Sequence, residues 1–374
     1  MDFIDLKAQQ RVIFPALKER LDRVLAHGQY VMGPEVQELE ERLAAYVGVN
    51  HAIACSSGTD ALLLPLLAYG VGPGDAVFTT PFTFIATAEV IRLLGATPVF
   101  VDIAPRTFNI DPAALAEAIA QVGRNPRTAH LQPKGIIPVD LFGQPADYDR
   151  INALAREHGL FVLEDAAQSF GATYKGRRAG SLAVVAATSF FPAKPLGGYG
   201  EGGAIFTDDD GLAAVMRSLR NHGQGSHRYE HVRIGLNARL DTIQAAVLLA
   251  KLEIFDQEAA ARQEVARRYQ EALHTVVQVP YVSPEGASIW AQYSVLSEER
   301  VKWQEKLKQA GIPTAVYYPL PLHRQEAFAS LGYQNGDFPV SERTSQLIFS
   351  LPLHPYLSVT DQEKIIEVFL NQRK

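Results

Sequence analysis

Residues 161–168 read Phe-Val-Leu-Glu-Asp-Ala-Ala-Gln, which places two carboxylates directly after an apolar run. Short apolar runs are typical of buried strands, and in an open α/β sheet ligands bind at the carboxyl ends of the strands. Because side chains alternate along a strand, Glu164 and Asp165 should point to opposite faces, and only one of them can reach a crevice. The alternative is an acid that caps the next turn. The stretch therefore predicts a buried strand with a candidate binding acid at its end.

Strands and helices alternate on the N-terminal side of this run. We predict strands at 51–55, 76–79, 97–101, 135–139 and 160–164, separated by helices at 60–69, 85–94, 112–122 and 147–158. Apolar residues between 36 and 47 recur at helical spacing, which predicts an amphipathic helix over 35–47 that leads into the sheet. This alternation predicts an α/β fold with a mainly parallel sheet flanked by helices.

The pattern changes after residue 182. We predict short strands at 188–191 and 204–207, a helix at 211–221, one long helix at 239–273, a strand at 292–296, a helix at 301–310 and a final helix from 360. Long helices rich in Ala, Leu, Glu and Arg often connect lobes. We therefore predict two domains: residues 1–254 form a large domain with an N-terminal helical arm, and residues 255–374 form a smaller C-terminal α+β domain.

The composition is that of an ordinary globular chain. Of its 374 residues, 47% are hydrophobic and 20% are charged, and 35 basic against 41 acidic residues give a net charge of −6. A negative charge offers no general attraction for nucleic acid. Cys55 is the single cysteine, so no internal disulfide can form, and the sequence has neither a leader pattern nor an apolar run long enough to span a membrane. We expect a cytoplasmic protein without nucleic-acid or membrane partners.

The segment 189–203, Ser-Phe-Phe-Pro-Ala-Lys-Pro-Leu-Gly-Gly-Tyr-Gly-Glu-Gly-Gly, contains a lysine in unusual surroundings. Lys194 has no charged residue within six positions on either side. A lysine desolvated by apolar neighbours has a lowered pKa and can act as an amine nucleophile, although a buried strand can also end in a snorkelling lysine. The glycines match G-x-G-x-x-G as well, but a predicted strand follows them where a dinucleotide site requires a helix.

Two further segments lie between a predicted strand and the next helix. Residues 56–60, Ser-Ser-Gly-Thr-Asp, are small and polar, so they either cap the helix or present its N–H groups to an anion. Residues 80–84, Thr-Pro-Phe-Thr-Phe, offer aromatic rings that either stack on a planar ligand or pack in the core. Both segments are candidates for the edge of the sheet that carries Asp165.

Taken together, these segments resemble the pyridoxal-phosphate-dependent nucleotide-sugar aminotransferases of the DegT–StrS type, which have the type I aminotransferase fold. The resemblance covers nearly the whole chain. Four segments in the family's order carry it: Ser-Gly-Thr-Asp-Ala-Leu at 57–62, Glu-Asp-Ala-Ala-Gln at 164–168, Ser-Phe-Phe-Pro-Ala-Lys at 189–194 and Gly-Leu-Asn-Ala-Arg-Leu-Asp at 235–241. It implies that the large domain binds the cofactor pyridoxal phosphate.

The resemblance implies roles for residues around the cofactor ring. Lys194 resembles the Schiff-base lysine, and Asp165 resembles the partner of the pyridine nitrogen. Gln168 would hydrogen-bond the ring oxygen, and Phe84, or else Phe82, would stack on the ring. Some family members carry histidine in place of the lysine and act as dehydratases, so Lys194 implies transamination. L-glutamate would then supply the amino group, and Lys194 would move protons.

The same resemblance implies a phosphate site that two subunits share. Gly58, Thr59 and Ser189 resemble phosphate ligands within one chain. Asn237 resembles an asparagine that reaches the phosphate from the neighbouring subunit. We therefore expect a homodimer.

The stretch 217–239 is basic and predicts an anion-binding segment. It contains one acid and five arginines: Arg217, Arg220, Arg228, Arg233 and Arg239. Arginine is well suited to the diphosphate of a nucleotide sugar and to the carboxylate of a uronic acid, and Arg239 is the candidate for the carboxylate. Histidines in the same stretch make a metal site the alternative, but no cysteine or carboxylate pair accompanies them, so we expect no metal.

Three more segments resemble particular branches of the family. Residues 311–323 resemble the segment that brings a tyrosine and a histidine, here Tyr318 and His323, to a 3-oxo sugar. Residues 142–144 and 288–293 resemble enzymes that aminate UDP-2-acetamido-2-deoxy-3-oxo-glucuronate for surface polysaccharides such as O-antigen. The alternatives are a dTDP-3-oxo-6-deoxyhexose, a 4-oxo sugar, and a non-catalytic regulatory or binding protein. The presence of the lysine, the aspartate and the glutamine together argues against the last alternative.

Overall fold

The computed structural model describes residues 1–371 and has a seven-stranded sheet at its centre. The strands are β1 (His51–Cys55), β2 (Asp75–Thr79), β3 (Thr97–Phe100), β4 (Gln132–Ile136), β5 (Phe161–Asp165), β6 (Thr173–Tyr174), β7 (Arg177–Arg178), β8 (Val185–Ser189), β9 (Gly203–Thr207), β10 (Gly286–Ala287), β11 (Tyr293–Leu296) and β12 (Ile348–Leu351). The central sheet has the order β1-β9-β8-β5-β4-β2-β3. β9 is antiparallel to both of its neighbours, and the other pairs are parallel. The mainly parallel sheet predicted from the sequence is confirmed.

Helices cover both faces of this sheet. They are α1 (Leu6–His27), α2 (Pro34–Val47), α3 (Gly58–Ala68), α4 (Ala86–Leu93), α5 (Pro112–Gln121), α6 (Tyr148–His158), α7 (Asp210–Arg220), α8 (Thr242–Leu252), α9 (Phe255–Leu273), α10 (Arg300–Gln309), α11 (Pro339–Leu347) and α12 (Val359–Leu370). Successive residues of one strand enter two different cores: Val162 packs with Ile151 of α6, whereas Leu163 packs with Leu62 of α3. A strand that is buried on both faces has to be apolar throughout, which explains the sequence of β5.

The single helix predicted over 239–273 is wrong, because the chain forms two helices there. α8 ends at Leu252, and α9 begins at Phe255. Leu248 of α8 packs in a core of the large sheet, whereas Tyr269 of α9 packs in a separate core with β11 and β12. The first turn of α9 still packs in the core of the large sheet through Phe255, and the helix enters the second core from Val265 onward.

Much of the chain after residue 254 packs in a separate α+β core, although Phe255 and Ile289 pack with the large sheet. β11 and β12 pair antiparallel, and α9, α10 and α12 pack on them in one core. The predicted boundary between residues 254 and 255 stays a prediction, and residues 372–374 of the predicted small domain lie outside the described part of the chain. Within residues 1–371, no helix is long and apolar enough to cross a membrane.

Candidate active site

The segments singled out in the sequence meet at one edge of the large sheet. Asp165 ends β5 and Ser189 ends β8, and these two strands are parallel, so their carboxyl ends lie together. Cys55, at the end of β1, is in register with Gly203 of β9, which is in register with Ser189. The loop after β1 and the ends of β5 and β8 therefore border the same edge.

The turn between β1 and α3 presents a site for an anion. The hydroxyl of Ser57 caps α3 by accepting the N–H of Asp60 at 3.0 Å. The N–H groups of Gly58 and Thr59 have no acceptor among residues 1–371. A Cβ on Gly58 would come within 2.5 Å of the Ser189 Cβ, so only glycine allows this close approach. Free N–H groups at a helix N-terminus beside a hydroxyl suit a phosphate group.

Glu164 and Asp165 point to opposite faces of β5. Glu164 accepts two backbone N–H groups, at 2.6 and 2.9 Å, on one face. On the other face, Asp165 accepts the hydroxyl of Thr87 at 2.8 Å. Burial raises the pKa of Asp165, and the hydrogen bond from Thr87 and the charge of Lys194 lower it in part. A buried carboxylate in this position is stabilised by a cation, such as a protonated pyridine nitrogen.

A second buried acid, Asp140, lies behind this edge, next to Glu164. Asp140 accepts the hydroxyls of Tyr148 and Ser169, both at 2.9 Å. Burial raises the pKa of Asp140 to about 7, although these hydrogen bonds favour its charged form. Protonation of Asp140 should therefore affect the free energy of unfolding near neutral pH.

We expect Asp140→Asn to change how stability depends on pH. A carboxyl whose pKa is higher in the folded protein contributes fully to stability below its unfolded pKa of about 4. That contribution is lost as the pH rises towards neutrality, and the pKa of the neighbouring Glu164, which the charge of Asp140 helps to raise, should be lower in the variant. The free energy of unfolding of the wild type should therefore fall between about pH 4 and pH 7 relative to the variant, as measured by urea unfolding. A difference that stays constant over this range would contradict the raised pKa.

Lys194 lies in the turn that follows β8. Its backbone N–H donates to the carbonyl of Phe191 at 2.8 Å, and its ammonium forms no hydrogen bond in the described chain. Burial lowers the pKa of Lys194, and the nearby charge of Asp165 opposes this in part. The amine is thus easier to deprotonate than that of a surface lysine, as covalent binding of an aldehyde requires.

Gln168 is held with its NH₂ group facing Tyr318. The backbone N–H of Phe142 donates to Gln168 Oε1 at 2.7 Å, and Gln168 Nε2 donates to the Tyr318 hydroxyl at 3.2 Å. Burial raises the pKa of Tyr318, so that its hydroxyl stays protonated. Phe84 is 55% exposed with its ring 6.4 Å from that of Tyr318, whereas Phe82 is fully buried. Phe84 therefore has an open ring face, and Phe82 does not.

Asn237 and Arg239 lie apart from these residues within the chain. Asn237 is exposed, and its Oδ1 accepts the Nε of Arg239 at 2.9 Å. Neither side chain is hydrogen-bonded to Lys194 or Asp165 in the part of the chain that the structure describes. The side chain of Arg220 is buried and pairs with Glu40 at 2.5 Å, so it is not free to bind an anion as the basic stretch suggested.

His323 does not lie at an open surface. The residue is 3% exposed, and its ring packs against Phe338 with 4.7 Å between ring centres. Its Nε2 pairs with Oε1 of Glu342 at 2.9 Å. The ring is thus enclosed, while its Nδ1 has no hydrogen-bond partner among the described residues, and the contact between His323 and a sugar stays a prediction.

Thr87 is a site residue that the sequence analysis missed. It donates to Asp165, and its hydroxyl lies 3.1 Å from that of Thr83. No signal in the sequence marked it, because its partner Asp165 lies 78 residues further along the chain.

The donor set of this edge fits pyridoxal phosphate. The α3 N-terminus and Ser189 suit the phosphate, and the buried carboxylate suits the pyridine nitrogen. The oriented amide of Gln168 can donate to the ring oxygen, and Lys194 has an unbonded amine.

Known proteins are similar to the chain over nearly its whole length. The chain matches the DegT/DnrJ/EryC1/StrS aminotransferase family over residues 13–370. It is 51% identical over 372 residues to the UDP-2-acetamido-2-deoxy-3-oxo-D-glucuronate aminotransferase of Pseudomonas aeruginosa, which covers 99% of this chain and 100% of the relative.

Two crystal structures of known proteins have folds similar to that of this chain. A DegT DnrJ EryC1 StrS aminotransferase from Brucella abortus has a TM-score of 0.96 and 51% identity, with 100% of this chain and 99% of that chain covered. NtdA from Bacillus subtilis, solved with bound cofactor PMP, has a TM-score of 0.88 and 30% identity, with 99% and 82% covered.

These similarities confirm the predicted family, the type I fold and the cofactor. The roles of the individual site residues and the homodimer stay predictions. The chain belongs to the DegT/DnrJ/EryC1/StrS aminotransferase family and is a pyridoxal-phosphate-dependent aminotransferase.

Proposed function

We propose that the protein transfers the amino group of L-glutamate to UDP-2-acetamido-2-deoxy-3-oxo-D-glucuronate, in the synthesis of a surface polysaccharide such as O-antigen. The observation that carries this proposal is the 51% identity, over nearly the whole chain, to the P. aeruginosa enzyme of that name. The arginines in 217–239 other than the buried and paired Arg220 support an anionic substrate, because a UDP-linked uronic acid carries both a diphosphate and a carboxylate.

The chain would hold the cofactor at the carboxyl edge of the large sheet. The N–H groups of Gly58 and Thr59 and the hydroxyl of Ser189 would bind the phosphate. The ring face of Phe84 would support the pyridine ring. When bound, pyridoxal phosphate supplies an electron sink for the carbon that loses or gains a proton.

The remaining residues would control protons around the ring. Asp165 would keep the pyridine nitrogen protonated, since its buried carboxylate gains a cationic partner in this way. Gln168 would donate from Nε2 to the ring oxygen. Lys194, with its lowered pKa, would take a proton from the α-carbon of glutamate. In the second half of the reaction it would deliver a proton to the sugar carbon that carried the oxo group.

A homodimer would complete the phosphate site. The loop between α7 and α8 exposes large apolar side chains that one chain leaves uncovered, among them Tyr229 at 84% and Ile234 at 93%. Asn237 follows in this loop and is exposed. We infer that the loop packs on a second copy and brings Asn237 to the partner's phosphate site.

Hybrid dimers test this shared site. Lys194→Ala and Asn237→Ala should each be inactive or weak alone, but a hybrid contains one site with both native residues. Random mixing in equal amounts should restore about a quarter of the wild-type activity, because half of the dimers are hybrids with one intact site each. Subunit exchange followed by an activity assay measures this. Absence of any recovery in demonstrated hybrids would contradict the shared site.

Arg239→Ala tests the recognition of the carboxylate. The Nε of Arg239 is bound to Asn237, while its two terminal nitrogens form no hydrogen bond within residues 1–371 and can bind a carboxylate with both arms. Loss of a charge-assisted pair costs about 1.5–3 kcal/mol, or roughly ten- to a hundred-fold in affinity. We expect Arg239→Ala to lower kcat/KM for the 3-oxo uronate by that factor more than it lowers kcat/KM for a neutral UDP-3-oxo sugar.

The neutral sugar is the necessary control, because Arg239→Ala also releases Asn237 and should weaken the cofactor site for both substrates. Arg228→Ala, on an exposed arginine of the same loop, is the matched control variant and should leave the ratio unchanged. Equal losses for both sugars in Arg239→Ala would mean that Arg239 does not bind the carboxylate.

A further inference from the structure

Lys251 of α8 is a charged side chain inside the hydrophobic core. It is 1% exposed, and its neighbours Leu248 and Leu249 are fully buried. Its ammonium forms no ion pair in the described chain. Burying a cation without a carboxylate partner costs free energy, so the hydrogen bond and the ring contact that the ammonium makes must stabilise it there.

The ammonium contacts the loop that carries Lys194. Nζ of Lys251 donates to the carbonyl of Gly197 at 2.6 Å and lies 4.3 Å from the ring centre of Tyr199. Burial lowers the pKa of Lys251 to about 8, and the charge of Glu258 opposes this in part. Both contacts lie within five residues of Lys194 along the chain.

The loop is compact, so a fixed carbonyl at Gly197 also fixes the turn before it. The N–H of Gly198 donates to the Phe190 carbonyl at 2.7 Å, and the N–H of Lys194 donates to the Phe191 carbonyl at 2.8 Å. A Cβ on Gly197 would come within 2.6 Å of the Phe191 oxygen. A shift of Gly197 would therefore be transmitted to the turn that contains Lys194.

A second side chain of α8 holds the next part of the loop. Gln244 lies seven residues before Lys251, which is about two helical turns, so both side chains lie on one face of α8. Oε1 of Gln244 accepts the N–H of Tyr199 at 2.8 Å. The loop is thus attached to a buried helix at two points.

We propose that Lys251 is a positioning residue that sets the place of the Lys194 amine at the cofactor. The proposal rests on the proposed role of Lys194 as the residue that binds the cofactor. A methionine at 251 has a similar length and no desolvation cost, so Lys251→Met can fold while it leaves the Gly197 carbonyl without a donor. The loop then loses one of its two attachments to α8, and the lysine moves with it.

The test is a pH titration of the visible absorbance of the holoenzyme, which reports the environment of the bound cofactor. Lys251→Met should shift the midpoint by about one pH unit, and cofactor should leave several-fold faster on dilution. Lys251→Gln keeps an N–H donor and should shift the midpoint less. Arg262→Met is the matched control, since Arg262 is also a buried cation that donates to a main-chain carbonyl, that of Trp290 at 3.1 Å. It should lower the unfolding temperature and leave the midpoint unchanged.

A wild-type midpoint in Lys251→Met would overturn the proposal, and so would an equal shift in Arg262→Met. If Lys251→Met does not fold, Lys251→Leu, which also leaves the Gly197 carbonyl without a donor, is judged by the same criteria. Borohydride reduction and peptide mapping of the wild type separate this result from the proposed function. A cofactor fixed to a lysine other than Lys194 overturns the proposed function, whereas a cofactor on Lys194 with an unchanged midpoint overturns the role of Lys251 alone.

Discussion

Lys194→Ala should abolish amino transfer and remove the visible absorbance of the covalently bound cofactor, while the protein stays folded. Without the amine, the turn after β8 has no group that can bind an aldehyde or move a proton at the substrate carbon. We expect a rate loss of at least about 10⁴-fold. With the cofactor removed from both proteins, the unfolding temperature of the variant should match that of the wild type closely, because the ammonium forms no hydrogen bond among the described residues. Absorbance spectra, single-turnover assays with glutamate and thermal unfolding measure these effects.

Lys308→Ala is the control, because Lys308 is exposed and lies in α10 of the small domain. It should leave the spectrum and the rate unchanged. If Lys194→Ala kept the visible absorbance, or if borohydride fixed the cofactor to a different lysine, the assignment of Lys194 would be wrong.

Asp165→Asn should keep the bound cofactor but slow both the reaction with glutamate and the reaction with the sugar. Asparagine has a similar shape, but its amide carries no negative charge to hold a proton on the pyridine nitrogen. We expect both rates to fall by about 10²- to 10⁴-fold. A buried negative charge strongly favours the protonated pyridine nitrogen, and only the protonated ring withdraws electrons well. Rapid-mixing absorbance measurements follow each reaction separately.

Glu164→Gln provides the matched control from the opposite face of β5. Its side chain accepts the backbone N–H groups of Gly180 and Leu182, so the change should affect stability rather than the two rates. Near-normal turnover in Asp165→Asn would show that Asp165 is not the residue that keeps the pyridine nitrogen protonated. A large loss of rate in Glu164→Gln alone would make Glu164 the candidate in its place.

Elements whose sequence is decided by local pattern could be predicted well. The strand predicted at 51–55 is β1, and the strand predicted at 160–164 differs from β5 by one residue at each end. Both are short apolar runs bounded by polar residues, and burial on both faces requires this composition. The alternation along β5 also predicted that Glu164 and Asp165 separate, as their hydrogen bonds show.

Features that depend on distant contacts could not be predicted in this way. The break between α8 and α9 is not marked by a proline or glycine, and the second core that α9 enters from Val265 onward is built with β11 and β12, which lie further along the chain. Arg220 is neutralised by Glu40, which lies 180 residues away along the chain. The His323 ring is enclosed by Phe338, which precedes α11. Each of these features depends on a contact with a part of the chain that is distant in sequence, so the local pattern could not predict it.

Mass spectrometry of the purified holoenzyme with L-glutamate and single keto sugars tests the proposed function most directly. The sugars are UDP-2-acetamido-2-deoxy-3-oxo-D-glucuronate, a dTDP-3-oxo-6-deoxyhexose and a UDP-4-oxo sugar. We predict that the uronate becomes the 3-amino sugar with an equal amount of 2-oxoglutarate, at a kcat/KM at least about tenfold above that of the other two. Preference for the dTDP sugar would contradict the proposed substrate, and no amino sugar from any of the three would contradict the proposed amino transfer itself.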